Sequence, residues 1–129
     1  MFKYINGSYI LSSTSQNDAE ECISINISKA KDDINGVFVS GIVGVHSGTQ
    51  SLYIIKNGKL VPALNENIFS LYPAEIKDID GDKKLELSSL EKDPKDINLS
   101  NAEADEILTW YKWDGNKGLT TVKTQELSQ

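Results

Sequence analysis

Apolar and polar residues alternate along Cys22-Ile-Ser-Ile-Asn-Ile-Ser28, the period-two signature of a strand with one face turned to a core. Burial of Ile23, Ile25 and Ile27 is the expectation. Val37-Phe-Val-Ser-Gly-Ile-Val-Gly-Val45 is more continuously apolar and rich in β-branched residues, which predicts a strand at the centre of a sheet. Its glycines suggest a bulge or a close backbone approach.

In Ser51-Leu-Tyr-Ile-Ile-Lys-Asn-Gly-Lys-Leu-Val61 the pair Asn57-Gly58 separates two apolar runs. A type I′ turn needs positive φ at both central residues, so this pair predicts a hairpin. Asn6-Gly7 and Asp114-Gly115 carry the same signal between further strand-like runs. Phe2-Lys-Tyr4 before the first of these echoes Tyr111-Lys-Trp113 before the second, either as copies of one unit or by chance. Helical patterning is confined to Ser15 to Glu21 and to Asn101 to Leu108, where Ser or Asn would cap and acids suit the first turn. Pro62, Pro73 and Pro94 are expected at strand ends or in loops. The fold class that follows is all-β, an antiparallel meander of hairpins with at most one or two short helices.

Size and composition fit that picture. A chain of 129 residues, 39 % apolar and 25 % charged, is expected to form a single β domain over residues 1–129 with a packed core. The net charge is −6 and unevenly placed, with 13 acids against 8 Lys from Glu75 onward and 6 against 5 before it. Every basic residue is Lys, so the planar fork behind bidentate phosphate and guanine contacts is missing, and no nucleic-acid partner is expected. No apolar run approaches the ~18 residues of a membrane helix, so no membrane insertion is expected, and any targeting segment would lie outside this chain. Cys22 is the one cysteine, which rules out an intrachain disulfide and predicts a small buried apolar residue.

The acidic excess has a focus. Asp78-Ile79-Asp80-Gly81-Asp82-Lys83-Lys84-Leu85-Glu86 holds four carboxylates in nine residues. Calcium takes six to eight oxygens, and carboxylates at alternate loop positions wrap around one point when Gly lets the chain turn sharply. Asp78, Asp80 and Asp82 take those positions, the Lys84 carbonyl a later one, and Glu86 closes the set as the next strand begins. An EF-hand is excluded, because Lys83 and Ser89 stand where that loop needs its Gly and its final Glu. Glu75-Ile-Lys77 leads in and Leu85-Glu-Leu87 leads out, which predicts a metal-clipped β turn. Asp-Gly segments also turn well without metal, but mutual repulsion of four carboxylates disfavours that reading unless a cation offsets it.

The pattern D-x-D-G-D-x-x-x-E resembles the calcium loop of FG-GAP and VCBS-like repeats, known from integrin α-chain propellers and exported bacterial proteins. The resemblance covers residues 73–90. It implies calcium between two strands of a propeller-blade-like unit, with Asp78, Asp80, Asp82 and Glu86 as side-chain ligands and Lys84 as a carbonyl ligand. It also implies an extracellular or cell-surface setting, where an affinity in the range of about 10⁻⁴ to 10⁻³ M suffices. Asp32-Asp-Ile-Asn-Gly-Val-Phe-Val-Ser40 resembles the start of a second such loop, but Val37, Ser40 and Gly41 replace its later ligands, and no metal is expected there. A complete propeller needs at least four blades of four strands, more than the eight to ten strands this chain provides, so a complete propeller is not expected.

Other chemistry is thinner. His46 is the one histidine, and without a nucleophile-elbow motif it reads as a turn or edge residue. On a strand Trp110 and Lys112 share one face while Tyr111 and Trp113 share the other, so one aromatic is expected to be partly exposed. Trp110 is the candidate for stacking on a sugar or docking a protein. The expected function is therefore a non-enzymatic calcium-binding domain with a structural or partner-binding role. The alternatives are a carbohydrate-binding module and a hydrolase fragment.

Overall fold

The structure is a computed structural model that describes residues 1–11, 17 and 19–128. Ten strands follow one another: β1 (Phe2–Ile5), β2 (Ser8–Leu11), β3 (Glu21–Lys31), β4 (Ile34–Val43), β5 (Ser47–Lys56), β6 (Lys59–Pro62), β7 (Ile68–Ser70), β8 (Leu87–Lys92), β9 (Glu106–Trp113) and β10 (Leu119–Leu127). They form three antiparallel sheets: the hairpin β1-β2, a sheet in which β3, β4, β5 and β6 are neighbours in order with β7 also on β5, and a sheet ordered β10-β9-β8. The fold is all-β, built of meanders, with no closed barrel and no complete propeller among the described residues.

The three hairpins form where their turn residues stand. Asn57 and Gly58 both have positive φ (52° and 74°), as do Asn6 and Gly7 (49° and 82°), and both pairs close two-residue turns between Lys56 and Lys59 and between Ile5 and Ser8. Asp114-Gly115 differs. Trp113 pairs with Leu119 across five residues, Gly115 alone of this pair is left-handed, and Asp114 Oδ1 accepts from Asn116 N and Gly118 N. The echo between the chain ends therefore stops at the strands, since the two turns are of different kinds.

The core lies between the two larger sheets. Phe38 of β4, Leu52 of β5, Leu87 of β8 and Trp113 of β9 meet there with Ala30, Ala63 and Leu64. Phe38 and Leu52 sit opposite each other in register, and they decide which face of the sheet is inner. Asn26 pairs with Phe38 and Ile27 with Val37, so Ser24, Asn26, Ser28 and Ala30 of β3 share the inner face. Ile23, Ile25 and Ile27 consequently point outward and are 52 %, 63 % and 71 % exposed. This reverses the expectation from the alternation of β3, because the bulkier inner residues of β4 and β5 dictate the register. The β4 strand is central as expected, and Gly36 permits a close approach: a Cβ there would stand 2.9 Å from both Ala30 Cβ and Leu52 Cδ1.

A second correction concerns helix. Over Ser100 to Glu103 half of a capping box is present: Ser100 Oγ and N donate to Glu103 Oε2 at 2.7 and 3.4 Å, while Glu103 N and Ala104 N donate to Ser100 O at 3.1 and 3.0 Å. The chain nevertheless makes only this turn before β9 begins at Glu106. Pairing of the β-branched and aromatic run after Glu106 with β8 outweighs a helix of so few residues. A 3₁₀ turn at Pro94–Asp96 is the one helical element among the described residues. Of the other stretch with helical patterning, Ser15 to Glu21, residues 15, 16 and 18 lie outside the described residues, while Asn17, Ala19 and Glu20 are not helical and Glu21 opens β3.

Candidate metal centre

The loop from Asp78 to Glu86 hangs from one rung of ladder. Lys77 N donates to Glu86 O at 3.1 Å and Glu86 N to Lys77 O at 2.9 Å, pairing the residues at the two ends. The lead-in at 74–76 is not a strand, and the carbonyls of Ala74 and Glu75 are taken by side chains instead. Gln50 Nε2 donates to Ala74 O at 2.7 Å, and Ser88 Oγ donates to Glu75 O at 2.5 Å. The turn is thus fixed from below by the inter-sheet seam.

Within the loop, backbone N–H groups orient every carboxylate. Asp78 Oδ1 and Oδ2 accept from Gly81 N and Lys83 N, each at 2.8 Å. Asp80 Oδ1 accepts from Asp82 N at 3.2 Å, Asp82 Oδ1 from Lys84 N at 2.9 Å, and Glu86 Oε2 from Ile79 N at 2.8 Å. Gly81 (φ 78°) and Lys83 (φ 68°) supply the left-handed turns this wrapping needs. The second oxygens of Asp80, Asp82 and Glu86 are left facing inward.

Asp78, Asp80, Asp82 and Glu86 each bring one carboxylate oxygen into a group whose members lie within 4.8 Å of one another. Opposite oxygens on a calcium ion are about 4.6 to 5.2 Å apart, against about 4.0 to 4.2 Å on magnesium. The donor set is all oxygen, which suits hard cations. Glu86 is completely buried, yet its Oε1 accepts no hydrogen bond. An ionised carboxylate oxygen in that position ordinarily carries a large desolvation penalty. The four carboxylates expected to act together are brought together, and this acidic cluster can hold a metal ion. Lys84 is placed beside them, its N–H on Asp82 and its backbone in a bridge with Lys29.

One member of the site was not anticipated. Lys112 of β9 reaches the cluster from outside the loop: its ammonium donates to Asp80 Oδ2, donates to Asp82 Oδ2 at 2.5 Å, and lies 3.5 Å from Glu86 Oε1. The signal was present in the alternation of β9, which sets Lys112 on the opposite face from Tyr111 and Trp113. Only the register Leu87↔Tyr111 places its next step, Lys112, opposite Glu86.

The electrostatics follow from these contacts. Lys112 holds the Asp80 carboxyl below the usual carboxylate range, and Asp80 and Asp82 in turn raise the Lys112 ammonium well above the ordinary lysine value. For Asp78, desolvation pushes upward, but the Lys83 and Gly81 N–H donors together outweigh it and leave the carboxyl lowered. Burial pushes the Glu86 carboxyl up, helped by the charges of Asp80 and Asp82.

The remaining candidates separate cleanly. Trp110 is 7 % exposed and Trp113 6 %, so the stacking platform expected of Trp110 is absent. Tyr111 is the half-buried member of the trio. Cys22 is exposed rather than buried, because it sits near the start of β3, which has a strand neighbour on one side only among the described residues. His46 lies in the exposed turn between β4 and β5, and Asp32 and Asp33 form the β3–β4 turn. Among the described residues no helix is long and apolar enough to cross a membrane. Comparison of the chain with protein-family models, with curated proteins and with solved structures finds no match.

Proposed function

We propose that this chain is a non-enzymatic, calcium-binding β domain of an extracellular or cell-surface protein, in which the ion stiffens the loop Asp78 to Glu86 for a structural or partner-binding role. The observation that carries the reading is Glu86 Oε1, which belongs to a completely buried residue of the carboxylate group and has no hydrogen bond among the described residues, the Lys112 ammonium standing 3.5 Å away. A divalent ion there would compensate the buried charge and relieve repulsion among the four acids. Asp78, Asp80, Asp82 and Glu86 would supply side-chain oxygens and Lys84 its carbonyl, with water completing the shell. The resemblance of the loop to FG-GAP and VCBS-like repeats supports calcium as the ion and the outside of the cell as the setting, where millimolar calcium fills even a weak site.

Calorimetric titration of chelator-treated protein with calcium, and separately with magnesium, tests this. Calcium is expected to bind with one site per chain and a Kd of about 10⁻⁴ to 10⁻³ M, more tightly than magnesium. At a calcium concentration 100 times Kd the folded state gains about 2.7 kcal/mol, seen as a rise in melting temperature. Asp80→Asn should abolish both heat and rise. A wild-type melting temperature indifferent to 50 mM calcium would rule the proposal out.

A further inference from the structure

We propose that Lys112 is a tethered cation occupying the carboxylate cage, which a divalent ion has to displace, so that this one side chain sets the metal affinity and couples the loop to strand β9. The inference rests on reading the loop as a metal site. Its own support is the identity of the atoms involved. The backbone N–H groups of the loop take Asp80 Oδ1, Asp82 Oδ1 and Glu86 Oε2, and the ammonium of Lys112 meets the other oxygen of each of the same three residues: Asp80 Oδ2, Asp82 Oδ2 and Glu86 Oε1.

An ammonium and a calcium ion cannot both be coordinated by these three oxygens at close range. Calcium needs them at about 2.3 to 2.6 Å, and a second positive charge held on the same atoms would lie close enough to repel it strongly. One cation therefore excludes the other. Lys112 is long and flexible, its side chain is 28 % exposed, and the ammonium can withdraw to water with its stem still on the surface. In the metal-free protein it neutralises part of the loop's charge. In the metal-bound protein it is released, and β9 thereby senses the ion.

The scheme predicts an inversion that a merely structural salt bridge would not give. Without metal, Lys112→Gln should melt below wild type, since the acids lose their counter-charge. In saturating calcium it should melt at or above wild type. Its calcium Kd, from calorimetry on the full chain, should fall by about tenfold, the value expected if the displaced ion pairs are worth somewhat over 1 kcal/mol together. Equal or weaker calcium binding by Lys112→Gln, with wild type still binding, overturns the competition and leaves the metal site standing. Absence of calcium binding in both proteins overturns the metal reading and the competition together. If Lys112→Gln does not fold, the wild-type protein suffices: calcium should move the Lys112 Cε and Nζ resonances toward those of a free lysine with the midpoint of the calorimetric isotherm. Resonances that stay fixed through saturation overturn the displacement.

Discussion

The side-chain amide of Gln50 on β5 brackets Ser88 on β8, its Oε1 accepting from Ser88 N at 2.7 Å while its Nε2 donates to Ala74 O at 2.7 Å. Gln50 is 1 % exposed and Ser88 wholly buried, so no water replaces the bond to Ser88 N if it is lost, whereas Ala74 is half-buried. Gln50→Met keeps the bulk but strands the buried Ser88 N–H. Leaving a buried group unsatisfied costs about 1 to 3 kcal/mol, and we expect Gln50→Met to destabilise by an amount in that range in urea melts. A loss below about 0.5 kcal/mol, the scatter of ordinary surface changes, would show that the seam does not tie the sheets.

Gly36 makes a sharper case of packing. A methyl group there meets Ala30 Cβ and Leu52 Cδ1, both at 2.9 Å, in a core that also holds Phe38. Gly36→Ala is expected to cost about 1 to 3 kcal/mol through overpacking. Ala30→Gly in the same chain should restore part of that loss, and a double-mutant cycle measures the coupling. Strict additivity would refute the close approach.

At Gly81 the argument is conformational only. Its φ is 78° and nothing lies within 4 Å of an added Cβ, so Gly81→Ala suffers backbone strain of about 1 to 2 kcal/mol without a clash. Gly81→Asn should suffer less, because Asn visits the left-handed region more readily. The measurement is calcium affinity and melting temperature across Gly, Asn and Ala, expected to fall in that order. Equal values for Ala and Gly would mean that the loop does not require this turn.

Acid titration gives a prediction away from the acidic loop. The Ser100 hydroxyl, and behind it the Ser100 N–H, hold the Glu103 carboxyl below its ordinary value. A folded-state pKa below the unfolded one means that the associated stability is present above the unfolded value of about 4.3 and fades as pH falls through the folded value. Carboxyl-carbon NMR titration should show Glu103 titrating lower in wild type than in Ser100→Ala. Coincident titration curves would remove the Ser100 hydroxyl as the cause.

How much of this was legible beforehand depends on the range of the interaction involved. Turns are local: Asn6-Gly7 and Asn57-Gly58 demand positive φ within two residues, and the acids of residues 78–86 converge because Gly81 and nearby N–H groups fold them inward. The primary structure alone therefore announced the hairpins, the all-β class and the four carboxylates of the candidate site. Three other features were settled by partners distant in the chain. The isoleucines of β3 face outward because Phe38 and Leu52, on two later strands, claim the inner face. Ser100 to Glu103 stops at one turn because β8 recruits the following residues as a strand. Lys112 enters the acidic cage because β8 and β9 pair in a register that sets it opposite Glu86. Alternation tells which residues share a face, but the choice of face and of cross-strand neighbour is made by the packing of whole sheets, where the largest side chains and the longest ladders prevail.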